Sequence, residues 1–183
     1  MRILEPKRKT IFLDRDGTIN VDTGAVHDIG DWAFTEGAVE ALGILQQAGY
    51  ALAVVTNQAA LADGRTSEEK VGAIHERMLH DLERVGVRID SIAYCPHAAD
   101  AGCLCRKPRP GLLDTIEDAL GSIDRKGSWM IGDKESDVGF GRNIGVQTSL
   151  IRSRYWDSDT LTEKPDRIVD SLLEFARFIS PPS

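Results

Sequence analysis

The chain has 183 residues, 42% of them hydrophobic and 28% charged, and its 22 Lys and Arg against 29 Asp and Glu leave a net charge of −7. That length suits one domain, residues 1–183, with room for a sheet core, and the acidic balance argues against wholesale nucleic-acid binding, which usually shows a basic face. No apolar run approaches the roughly 18 to 20 residues that cross a bilayer and residues 1–9 have no apolar signal core, so the expectation is a cytoplasmic monomer with no membrane partner.

Along the chain, residues 10–13 form a short apolar run that reads as a buried strand ending at Asp14. Residues 37–48 carry Val39, Leu42 and Leu45 at helical spacing, with Gly49 placed to cap the end. A second buried strand at 51–55 ends at Thr56. Ser67 is an N-cap for a helix reaching about residue 85, with Glu68 and Glu69 in its first turn and Val71, Ile74, Met78 and Leu82 as its apolar stripe. Gly86 stops it, and His75 and His80 on that helix are expected at the surface. Strands at 91–94, 128–131 and 148–151 alternate with helices near 110–120 and 136–144, and 170–179 is a closing amphipathic helix. With no repeat and no linker, this alternation predicts an α/β fold, a doubly wound, mostly parallel sheet with helices on both faces. The intervals between strands are too short for a separate cap domain.

In such sheets ligands bind beyond the carboxyl ends of the strands. Asp14, Thr56 and Asp133 each follow an apolar strand, so all three converge on one edge. Asp14 and Asp16 lie two residues apart, with Gly17 allowing a sharp turn. An acyl-phosphate mechanism needs an ionised carboxylate as nucleophile and a second carboxyl to protonate the leaving oxygen. Carboxylates held close together repel, which calls for a hard cation such as Mg²⁺, with Asp133 as a third acidic arm. Thr56-Asn57-Gln58 offers a hydroxyl, amides and backbone N–H groups to phosphate oxygens, and Lys107 offers a charge to a phosphoryl group. Taken singly, Asp-x-Asp-Gly-Thr is equally a turn, the tripeptide equally a loop cap, and a lone lysine usually a solvated one.

Cys95, His97, Cys103 and Cys105 fall within eleven residues. Three thiols and an imidazole fill a tetrahedron around a structural Zn²⁺ and leave no position for substrate. The alternative is three free core cysteines. A bound zinc would hold Arg106 and Lys107, which follow at once.

The series Asp14-x-Asp16-Gly17-Thr18, Thr56, Lys107 and Gly132-Asp133-x-x-x-Asp137 resembles the four motifs of the haloacid dehalogenase superfamily of phosphatases. The resemblance implies a Rossmann-like core with Asp14 as nucleophile and Asp16 as general acid, then base for water. It further implies Mg²⁺ on Asp14, Asp16 and Asp133, catalytic stabilisation of the phosphoryl group by Thr56 and Lys107, and support from Lys134 and Asp137.

The fuller set is Asp14-Arg15-Asp16-Gly17-Thr18-Ile19-Asn20, Gly24-x-Val26-His27, Thr56-Asn57-Gln58 and the cysteine run continuing into Lys107-Pro108-x-Pro110-Gly111. It is similar to the heptose 1,7-bisphosphate 7-phosphatase family, in a subfamily that also holds histidinol-phosphate phosphatases. That implies a small phosphorylated sugar touched by Asp22, Gly24, Ala25, Asn57, Gln58 and Lys134, with Arg106 on a second phosphate. Histidinol-phosphate phosphatases share the aspartates and the zinc spacing, but the basic stretch at 106–109 suits a cationic substrate poorly. Two positions depart from the pattern: Ala25 where an aromatic is expected, and Asp63 where an arginine is expected. A phospho-accepting receiver domain, the rival of another class, lacks an acid two residues after its aspartate and has no zinc set.

Overall fold

The computed structural model describes residues 7–24 and 28–181, so Ala25, Val26 and His27 lie outside the described residues. Six strands form one sheet in the order β3-β2-β1-β4-β5-β6: β1 Thr10–Leu13, β2 Ala51–Asn57, β3 Ser91–Cys95, β4 Trp129–Gly132, β5 Gln147–Ile151 and β6 Arg167–Val169. All five pairings are parallel. Helices α1 Ala38–Gln47, α2 Glu68–Glu83, α3 Leu112–Leu120, α4 Glu135–Ile144 and α5 Leu172–Ile179 fill the crossovers and close the chain.

The sheet is buried on both faces because each strand side chain has a partner layer. Ile11 and Leu13 point into a cluster with Leu42 and Leu45 of α1, Met78 and Leu82 of α2 and Phe175 of α5. Phe12, between them, points the other way, against Leu112 and Ile116 of α3 and Phe140 of α4. Period-two alternation on β1 thus serves two cores at once. The Phe12 and Phe140 rings meet edge to face, 6.2 Å between centroids.

Several predicted boundaries shift for identifiable reasons. β2 continues through Thr56 and Asn57 because they pair with Tyr94 and Cys95 of β3. Helix α3 starts at Leu112, after Gly111, whose amide bonds the Leu104 carbonyl at 3.0 Å. Ser67 caps α2 as expected, accepting from the Lys70 amide, and Ser171 does the same for α5 through Glu174. The edge strand β6 is absent from the sequence reading: three residues are too few to set a period. His75 is a correction. It is buried and not at the surface, because the face of α2 that carries it turns toward β3 and the turn after β1, whereas His80 is exposed.

The strand order places β2 on one side of β1 and β4 on the other, so the chain's crossovers reverse between β1 and β4. A crevice forms at such a switch point, beyond the carboxyl ends of those strands. Asp14 and Asp133 follow β1 and β4 and flank it directly.

Helix α5 is held mainly by Phe175, fully buried and 5.5 Å from the Trp129 ring. Phe175→Ala is expected to cost roughly 3–5 kcal/mol in urea unfolding, with Trp129 fluorescence following the same transition. A cost below 1 kcal/mol would contradict this packing.

Candidate active site

Lys107 is the centre of the site. It is buried, and its ammonium donates to Asp14 Oδ1 at 2.9 Å, Asp137 Oδ1 at 2.6 Å and the Val55 carbonyl at 2.7 Å. All three of its protons therefore have acceptors. Its backbone is fixed as firmly: the Asn57 amide oxygen accepts from Lys107 N at 3.0 Å, and the Asn57 amide nitrogen donates to Lys107 O at 3.2 Å. Asn57, expected on the substrate, also works as a side-chain rung joining the end of β2 to the Lys107 loop.

Asp14, Asp133 and Asp137 bring carboxylate oxygens within 4.8 Å of one another, all buried. Burial alone would raise Asp14, but the charges of Lys107 and Lys134 outweigh it and hold the carboxyl below the usual range. Burial and the Asp14 charge push Asp133 up to about 7. Burial likewise raises Asp137, despite Lys107. Lys107 and Lys134 both move upward, their carboxylate neighbours overcoming the burial that would discharge them. One ionised nucleophile candidate thus sits beside carboxyls that resist a further negative charge, an arrangement suited to a bound cation. The donors are hard oxygens, which fits Mg²⁺.

Asp16 takes a different place from that expected of a metal-binding carboxylate. Its side chain accepts from Arg15 Nε, from Arg15 Nη2 on both oxygens, from Asn20 Nδ2 at 3.0 Å and from Gln58 Nε2 at 2.8 Å. The atom of Asp16 that faces the acidic crevice is its backbone carbonyl, 3.5 Å from Lys134 Nζ. Gly17 makes this turn feasible: it has φ +86°, and a side chain there would clash with the Asp133 carboxylate. Thr56 is buried, its hydroxyl accepting from Gln58 Nε2 at 3.0 Å.

Beside Asp16 opens a cleft of about 290 Å³, walled by Asp22, Gly24, Asn57, Gln58, Arg65, Arg106, Lys134 and Tyr155. A larger cleft, about 720 Å³, lies at the opposite end of the strands among Lys7, Arg8, Lys9 and Arg88, away from the carboxylate cluster. The smaller one is where the chemistry-bearing groups converge. Lys134 donates to Asp133 at 2.9 Å and approaches Asp22 at 3.4 Å, while Tyr155 OH donates to Asp22 at 2.7 Å. Hydrogen bonds from Tyr155 and the Gly24 amide outweigh burial and hold Asp22 below its usual range. Arg65, two residues beyond the position where the pattern departs, also lines this wall, its charge paired with Asp63 at 2.7 Å. The sequence reading missed Tyr155 and Arg65: neither belongs to a motif, and Tyr155 arrives from the loop after β5.

The second cluster forms as the spacing predicts. His97 Nδ1 lies 3.5 Å from Cys95 Sγ and 3.2 Å from Cys105 Sγ; Cys95 Sγ is 3.6 Å from Cys103 Sγ and 3.3 Å from Cys105 Sγ. Bond lengths of about 2.1–2.3 Å to a tetrahedral zinc put ligand atoms about 3.4–3.8 Å apart. All three cysteines are free thiols, and the set is soft and closed, as structural zinc requires. Arg106 leaves the cluster toward the cleft, donating to the His97 carbonyl at 3.3 Å.

Comparison with known proteins places this geometry among relatives. A family model described as HAD-hydrolase-like matches residues 104–175. The D-glycero-beta-D-manno-heptose-1,7-bisphosphate 7-phosphatase of Vibrio cholerae is 43% identical over 151 residues, covering 79% of this chain and 81% of the relative. The enzyme of that name from Photorhabdus laumondii is 40% identical over 177 residues, 92% of this chain and 94% of the relative. Among solved structures, a D,D-heptose 1.7-bisphosphate phosphatase from B. bronchiseptica, complexed with magnesium and phosphate, superposes with a TM-score of 0.83 at 32% identity, covering 93% of this chain and 97% of the other.

Buried His75 makes stability depend on pH. Burial, with the Arg15 charge, lowers its imidazole to about 4 from 6.5. Between those values the unfolded chain binds a proton that the folded one refuses, so stability falls as pH drops from 6.5 to 4 and this loss levels off below. The contribution is up to about 3 kcal/mol. His75→Gln is expected to flatten the pH dependence of urea midpoints in that window relative to the parent; identical slopes would refute the assignment.

Proposed function

The chain belongs to the heptose-1,7-bisphosphate 7-phosphatase family of HAD-like hydrolases and is a phosphatase; from that premise we propose that it removes the C7 phosphate of D-glycero-D-manno-heptose 1,7-bisphosphate through an aspartyl-phosphate. The observation that carries the reading is the pairing of a Lys107-bound Asp14 carboxylate with a neighbouring cleft where Arg106, with Arg65 and Lys134 in ion pairs, faces the carboxylates of Asp16 and Asp22. One phosphoryl group meets the nucleophile, and a second suits the cationic wall.

Asp14 attacks phosphorus. The bond to the ester oxygen breaks as that oxygen takes the Asp16 proton and departs as the sugar alcohol. Asp16, now ionised, takes a proton from water, which attacks phosphorus and frees Asp14. Lys107, bonded to Asp14, and the Thr56 hydroxyl at the end of β2 offset charge on the phosphoryl oxygens. Mg²⁺ would be held by Asp14, Asp133 and the Asp16 carbonyl, and when bound it neutralises phosphate charge. Asp137 acts through Lys107. Asp22, Gly24 and Gln58 supply polar contacts to sugar hydroxyls. Zn²⁺ on Cys95, His97, Cys103 and Cys105 would brace the loop that delivers Arg106 and Lys107.

No helix among the described residues is long and apolar enough to cross a membrane. Reduced cysteines suit the cytoplasm, and we expect a single-domain monomer that needs no nucleic-acid partner. Histidinol phosphate is the competing substrate; its cationic portion would meet Arg106 as well as the Asp22 carboxylate, which is already engaged by Tyr155 and Lys134.

A substrate panel tests the reading: kcat/KM for both anomers of heptose 1,7-bisphosphate should exceed that for histidinol phosphate by roughly 100-fold or more, about 3 kcal/mol of discrimination, and Asp14→Asn should abolish all turnover. A preference for histidinol phosphate would overturn the substrate assignment and leave the phosphatase intact. Independently, metal analysis of native protein should find stoichiometric zinc, and stripping it should lower Tm by about 10 °C. Zinc-free protein with full activity and an unchanged Tm would exclude the structural metal.

A further inference from the structure

Arg15 is fully buried and is among the largest side chains with no exposure at all. A guanidinium cannot shed its charge in a protein, so burying one requires partners for its N–H groups. Nε and Nη2 take Asp16, at 3.1 Å to Oδ1 and at 3.0 and 2.9 Å to Oδ1 and Oδ2. Nη1 faces His75 Nε2 at 3.1 Å. Arginine only donates, so Nε2 must offer its lone pair and the neutral ring must carry its proton on Nδ1. His75 is held in turn by α2 and by the Tyr94 ring, 5.8 Å between centroids.

We infer that His75 is a positioning residue for the catalytic acid: by accepting from Arg15 Nη1 it fixes the guanidinium's rotation, and the opposite edge of that guanidinium fixes the Asp16 carboxylate at the cleft. Arg15 and Asp16 are chain neighbours, so their pairing alone leaves both free to turn together. The third point, sixty residues away on a helix packed beneath the sheet edge, removes that freedom. Asn20 and Gln58 hold the same carboxylate from its other sides. The inference rests on Asp16 acting as the acid proposed above.

Leaving groups separate a positioning role from a merely structural one. A sugar alcohol leaves only with a proton, whereas p-nitrophenolate leaves without one. Single-turnover phosphoenzyme formation from a sugar phosphate should slow about tenfold in His75→Leu, while the p-nitrophenolate burst from p-nitrophenyl phosphate keeps its rate. His75→Gln, whose amide oxygen can still accept from Arg15, should restore most of the sugar-phosphate rate. Asp16→Asn is the control, expected to show a larger loss with the same leaving-group selectivity. If Asp16→Asn slows both substrates equally, the acid assignment itself fails. If it is selective but His75→Leu is not, or slows both alike, the positioning role fails on its own.

Discussion

The structure depends on keeping three carboxylates and one ammonium out of water at a single point. Asp14, Asp137 and Lys107 form a buried chain of charge, with Asp133 alongside. Removing Lys107 would leave Asp14 and Asp137 facing each other without their shared cation, and an uncompensated ion in the interior typically costs several kcal/mol. A long flexible lysine is a poor partner unless its backbone is held, and here strand β2 holds it through the two-way Asn57 clamp. The cluster of Cys95, His97, Cys103 and Cys105 ends two residues upstream of it, in the same loop. Local charge balance, the parallel sheet and the zinc-ready loop are therefore one problem solved jointly.

The same economy shapes the wall of the cleft. The chain is acidic overall, yet Arg65, Arg106 and Lys134 gather at a single opening that, among the described residues, only Asp16 and Asp22 line with negative charge. Screening leaves net charge little say over distances of a few ångströms, so an anionic substrate meets the local field and not the global one. Lys134 contributes to both parts, bonded to Asp133 in the crevice and lying 4.5 Å over the Tyr155 ring at the rim.

Most of the frame was legible because burial on both faces writes long apolar runs: β1, β2 and β4 fall within one or two residues of their sequence-based limits, and with them the positions of Asp14, Thr56 and Asp133. The cysteine spacing was legible for a similar reason, since ligand geometry constrains few-residue intervals. Other features left no such trace. β6 is too short to show a period. His75 looked like a surface residue because a histidine on a helix carries no mark of what faces it, and the burial of Arg15 was not read at all. One clue to Arg15 was available: it stands between two aspartates in a turn directly after a buried strand. Tyr155 and Arg65 could not be read at all, because loop packing brings them to the cleft from outside any motif.

The clamp at Lys107 bears on how the protein acquires function as it folds. Its ammonium meets a carboxylate 93 residues earlier in the chain and another 30 residues later, across the two central crossovers. Contacts of that span form only after the intervening loop entropy has been spent, late in a parallel-sheet topology. Asp14, Lys107 and Asp137 come from three separate parts of the chain, so no short segment contains the cluster. The charge cluster is therefore a property of the assembled sheet.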